Sequence, residues 1–115
     1  MYYFYICWMK YEFLKNWETQ MKKGLLPLFV LHSLQKKEQY GYEFIQDLKD
    51  STGIEVNEGT IYPLLIRLKK EGLLNHRWVE QASGIPRKYY SISRAGISVL
   101  ESMKTSAHQI FLKIK

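Results

Sequence analysis

The stretch NEGTIYPLLIRLKKEGLLNHRWVEQASGIPRKYYSIS, residues 57–93, decides the fold of this chain. Its first part carries Ile61, Leu64, Leu65 and Leu68 at i, i+3, i+4 and i+7, the spacing of one buried stripe on an α-helix. The helix stops at Gly72, a residue suited to a left-handed C-terminal cap. Pro63 limits where it starts, because a proline deep in a helix costs roughly 3 kcal/mol. The regular part is therefore expected to begin near Gly59 or Thr60, after an irregular lead-in at Asn57 and Glu58. Leu73 to Glu80 is rich in apolar and β-forming residues, and Ala82 to Pro86 is a loop by its Gly and Pro. Arg87 to Ser93 reads as a returning strand, with Tyr90 and Ile92 on one face and Tyr89 and Ser91 on the other. The stretch is a helix followed directly by a β-hairpin.

Upstream, Tyr42 to about Ser51 forms another helix, with Phe44, Ile45 and Leu48 inward and Thr52-Gly53 at its end. A polar turn, Lys36 to Gln39, precedes it. From Met9 to Lys23 the apolar residues Phe13, Leu14, Trp17 and Met21 recur at helical spacing, and a second apolar stretch runs from Leu25 to Leu34. Between them stand Gly24 and Pro27, so either one helix bends here or two helices meet. Downstream, Ser93 suits the N-cap of a last helix running to the C-terminus. The order helix, helix, helix, hairpin, helix gives an α+β, mainly α, chain. Two short helices joined by a tight turn and followed by a hairpin are the winged helix-turn-helix layout. Residues 1–16 are an extension of unclear role, 17–93 the winged helix-turn-helix, and 94–115 a C-terminal dimerisation helix.

The composition fits one domain. A chain of 115 residues with 46% hydrophobic and 24% charged residues has a core, yet leaves no room for a second ordinary domain. A formal net charge of +6 favours an anionic partner, whether nucleic acid or an anionic membrane surface, or serves solubility alone. The single cysteine, Cys7, excludes an intramolecular disulfide and suits a reducing cytosol. No apolar run reaches the ~18 residues needed to cross a bilayer. The aromatic start MYYFYICWM lacks the basic and small-residue features of a signal peptide. A cytoplasmic protein is expected.

Burying Ile61, Leu64, Leu65 and Leu68 leaves Thr60, Pro63, Arg67 and Lys70 on the opposite face of their helix, flanked by Tyr62, Ile66 and Lys69. That division is what a recognition helix needs to enter a major groove about 12 Å wide. The hairpin adds Arg77, Arg87, Lys88 and Arg94 against a lone Glu80, with Tyr89 and Tyr90 interleaved, a pattern suited to phosphate oxygens and groove walls. The candidate DNA-contacting residues are Tyr42, Thr60, Tyr62, Pro63, Arg67, Lys70, Arg87, Lys88 and Tyr89. In the last helix Leu100, Met103, Ala107, Ile110 and Ile114 are spaced 3, 4, 3 and 4 apart, with Ile97 and Phe111 widening the seam. A second copy of the chain is the expected partner for that seam, and the first helix of the same chain the competing one. No catalytic residue, metal or cofactor is expected: His32, His76 and His108 are isolated, and there is no Gly-rich phosphate loop.

Lys22–Leu34 (KKGLLPLFVLHSL), Tyr40–Leu48 (YGYEFIQDL), Asn57–Leu74, Trp78 and Ser83–Gly96 (SGIPRKYYSISRAG), taken in that order, resemble the PadR family of transcriptional regulators. The resemblance runs from about Trp17 to about Phe111, and the short C-terminal segment resembles members with one C-terminal helix. It implies a winged-helix homodimer, usually a repressor, on a palindromic promoter site in double-stranded DNA. It also implies that Gly59 to Pro63 start the recognition helix, that Arg87 to Tyr90 belong to the wing, and that a small hydrophobic effector can release DNA. The chain departs from the pattern at Ile66, where relatives commonly carry a basic residue. Near Ala107 it lacks the tryptophan often present, which weakens the effector expectation. A winged helix used as a protein-interaction or ligand-sensing module is the alternative, and salt-dependent duplex binding separates the two.

Overall fold

The computed structural model describes residues 2–114. Met1 and Lys115, which end the expected segments 1–16 and 94–115, lie outside them. The elements are α1 (Tyr2–Lys36), β1 (Gln39–Tyr40), α2 (Gly41–Thr52), α3 (Glu58–Lys70), β2 (Leu74–Val79), β3 (Arg87–Ile92) and α4 (Arg94–Leu112). This is a winged helix-turn-helix, mainly helical, with a small antiparallel sheet in the order β1-β3-β2.

Of the two arrangements open at Gly24 and Pro27, the chain adopts a single continuous helix. Pro27 removes only the hydrogen bond to the Lys23 carbonyl, and Lys23 is exposed, so solvent takes the donor's place. Leu26, Val30, Leu31 and Leu34 meanwhile lie buried along one face of the same helix and anchor it against the core. At 1.5 Å per residue α1 is about 52 Å long, most of the molecule's 60 Å longest dimension. Its first half, from Tyr2 to Trp17, is almost entirely exposed.

The core joins those α1 residues to Phe44 and Leu48 of α2, Ile61, Leu65 and Leu68 of α3, Leu74 and Tyr90 of the hairpin, and Leu100 of α4. Leu100 corrects an expectation. Placed by its spacing in a seam between subunits, it is 0% exposed within one chain, because α4 packs along α1. Met103 packs against the same core, and the free apolar part of α4 lies beyond it.

The polar turn expected at Lys36–Gln39 contains the two-residue strand β1, paired with β3 as Gln39↔Tyr90 and Tyr40↔Tyr89. Gln39 is buried, and its Nε2 donates to the backbone carbonyl (3.3 Å) and Oγ (3.1 Å) of Ser33. Ser33 Oγ in turn donates to Asp47 Oδ2. One polar chain therefore ties α1, β1 and α2 together inside the domain. Asp47→Ala leaves the Ser33 hydroxyl, itself buried, without its acceptor, and is expected to cost about 1–3 kcal/mol in guanidinium unfolding. Asp47→Asn keeps an acceptor oxygen and should lose much less.

Candidate nucleic-acid interface

Helix α3 begins at Glu58, one to two residues earlier than Pro63 was expected to allow. Asn57 makes this possible. Its side chain accepts from the Thr60 N–H at 3.0 Å, and its carbonyl takes the Thr60 and Ile61 N–H groups at 3.1 Å. Pro63 then deprives only the Gly59 carbonyl, at an exposed residue in the first turn. The helix closes at Gly72, whose φ of 78° is left-handed. There Leu73 N–H reaches the Leu68 carbonyl and Gly72 N–H the Lys69 carbonyl, both at 3.0 Å, the Schellman arrangement.

With Ile61, Leu65 and Leu68 buried, Thr60, Pro63, Arg67 and Lys70 all stand exposed, and Tyr42 is exposed in the first turn of α2. Tyr62 is placed differently from these. It is 38% exposed, and its ring lies over Gly41, where a Cβ would come within 2.5 Å of the ring. Burial raises its pKa, with Glu58 adding to the effect. Tyr62 therefore sets the seat of α3 on α2 as well as facing outward.

The hairpin register pairs Leu74 with Ile92, His76 with Tyr90 and Trp78 with Lys88 on one face. Asn75 and Ser91, Arg77 and Tyr89, and Val79 and Arg87 pair on the other. Tyr90 and Leu74 are buried, so the first set is the inner face. Arg87 and Lys88, expected together at phosphate, consequently point to opposite sides of the wing. On the outer side Arg77 makes a two-pronged ion pair with Glu38, whose carboxyl that hydrogen bond holds below its usual range. Arg87 lies 4.4 Å from the Tyr40 ring centre, and Tyr40 meets Tyr89 edge-on.

On the inner side Lys88 Nζ sits 5.6 Å from the Trp78 ring and 5.5 Å from that of Tyr90. Trp78 is 63% exposed, so this pair extends past the core edge into solvent. His76 lies on the same face with its ring 6.0 Å from that of Tyr90, and its pKa falls through burial first, then through the positive charges of Lys88 and Lys69. Sequence reading left Trp78, His76 and Lys69 out of the candidate set. The two-residue period from Leu74 would have put His76 and Trp78 beside Lys88.

A recognition-type helix flanked by a basic wing defines a winged-helix regulator. The family model described as "Transcriptional regulator PadR-like family" matches residues 30–102. Solved structures agree with it. A PadR family transcriptional regulator from Eggerthella lenta is 32% identical with a TM-score of 0.85, covering 92% of this chain and 93% of that one. A PadR-like transcription factor from Bacteroides fragilis is 39% identical with a TM-score of 0.74, covering 86% and 95%. A PadR-like regulator from Bacillus cereus is 37% identical with a TM-score of 0.73, covering 83% and 92%. The chain belongs to the PadR-like family of transcriptional regulators. No helix among the described residues is long and apolar enough to cross a membrane.

Proposed function

We propose that this chain is a sequence-specific repressor that binds a palindromic promoter site in double-stranded DNA as a homodimer. The observation that carries the reading is the exposed row Thr60, Pro63, Arg67 and Lys70, on a helix that packs against strand β2 of the hairpin carrying Arg87 and Lys88. Tyr42, Thr60, Pro63, Arg67 and Lys70 contact the major groove and its edges, with Tyr62 seating the helix. Lys88 grips phosphate from the inner wing face, and Arg87 and Tyr89 meet the backbone from the other side. Ile97, Met103, Ala107, Ile110, Phe111 and Ile114 form the subunit seam. The C₂ symmetry of such a dimer places two recognition helices on two half-sites, which is why a palindrome follows.

A groove of about 400 Å³ between α1 and α4, lined by Leu25, Leu28, Val99, Met103, Ala107 and Ile110 among others, adjoins this seam. A small hydrophobic ligand that releases DNA would act there, by altering how the two subunits meet. The test of the central reading is a gel-shift assay with the duplex upstream of the protein's own gene. A shifted band that survives excess random duplex supports it, and no shift at low salt contradicts it.

Residues 1–8 take no part in this surface. Residues 2–8 project along α1 with nearly every side chain exposed and none in the core. A chain starting at Met9 is expected to bind the same duplex within about twofold of the full chain, measured by anisotropy; loss of binding in a folded Met9 chain would overturn the assignment.

A further inference from the structure

Ile66 is an exposed aliphatic residue on the outward side of α3. It is 49% exposed on α3, although a β-branched residue is a weaker helix former than the residues usual at such positions. Its neighbours within one turn are Arg67, Lys69 and Lys70, with Pro63 one turn earlier and exposed. Core packing does not account for it, since α3 turns Ile61, Leu65 and Leu68 inward. The apolar seam does not either, because α3 packs on α2 and β2 while α4 packs on α1. An apolar side chain with cations in the turn that follows it fits a partner that is polyanionic overall and offers one small apolar group. In a DNA major groove that group is the C5 methyl of thymine. The restricted χ1 of a helical isoleucine keeps its methyl groups fixed before contact, so little rotamer freedom is lost.

We propose that Ile66 is a specificity-determining residue that reads a thymine methyl in each half-site. This rests on the DNA-binding reading above. The test starts from a duplex selected by the wild-type chain out of a random pool, with thymines replaced singly by deoxyuridine, which removes the methyl and keeps the base pair. At one thymine per half-site the replacement should weaken wild-type binding about fourfold, the expected worth of one buried methyl. Ile66→Ala should weaken binding to the thymine duplex and erase the deoxyuridine effect, an interaction seen as non-additivity in the double-mutant cycle. Because Ile66 is exposed, the variant should keep the wild-type melting temperature. Wild-type binding that is indifferent to deoxyuridine at every position, or an Ile66→Ala variant that keeps the full deoxyuridine loss, overturns this inference and leaves DNA binding intact. Failure of the wild-type chain to select any duplex overturns both.

Discussion

Gly96→Ala is expected to destabilise the fold by about 3 kcal/mol, at the upper end of what overpacking costs. Gly96 is buried in the first turn of α4, and a Cβ there would overlap the Leu73 carbonyl oxygen and come within 2.7 Å of Ile92 Cγ1. The carbonyl has nowhere to go. It accepts from the Ser93 N–H at 3.0 Å, while Ser93 Oγ donates to the Gly72 carbonyl at 2.6 Å and accepts from the Gly96 N–H at 3.0 Å. This junction locks the end of α3, the base of the wing and the start of α4 to one another. Against a typical domain stability of 5–15 kcal/mol such a loss is large. Gly24 supplies the contrast, because a Cβ at that mid-helix position meets nothing within 4 Å. Gly24→Ala should therefore stabilise the chain by about 0.5–1 kcal/mol. Guanidinium midpoints of the two variants should move in opposite directions, and equal midpoints would refute the close-approach argument.

Ile110→Asp is expected to separate the subunits of the proposed dimer. Ile110 is 61% exposed in one chain, and Phe111 and Ile114 beside it are exposed as well, so this end of α4 presents apolar surface that a partner would cover. A carboxylate buried there without a partner costs several kcal/mol. Sedimentation should show monomers at micromolar concentration, and affinity for a two-half-site duplex should fall with them. Thermal stability of the single domain should change little, since the core residue of α4 is Leu100. A variant that remains a dimer would place the interface elsewhere.

The parts of this fold legible in the sequence are those that rest on a local period or on one residue's chemistry. The stripe Ile61, Leu64, Leu65, Leu68 fixed α3, and Ser93 marked the start of α4. Alternation along Arg87 to Ser93 sorted Tyr90 inward and Tyr89 outward. The continuity of α1 was not legible, because Gly24 and Pro27 are local breakers overruled by the packing of Leu26, Val30, Leu31 and Leu34. Strand β1 escaped because two residues carry no period, and because Gln39 is a polar side chain buried by pairing with distant Tyr90. Leu100 was misassigned because a seam spacing is the same whether the face meets α1 of its own chain or another copy. The split of Arg87 from Lys88 was available all along, since neighbouring strand residues face opposite ways.

The claim that α3 and the inner wing face form one DNA surface, the helix for bases and the wing for backbone, is tested most directly by one salt series. Wild type, Arg67→Ala and Lys88→Ala are titrated by anisotropy against the selected duplex and a random one. Lys88→Ala should weaken both duplexes alike and flatten the slope of log K against log salt by about 0.9 per protomer. Arg67→Ala should cost roughly 1–3 kcal/mol on the selected duplex, with little change on the random one. Undiminished affinity in both variants, at every salt concentration, would contradict the account.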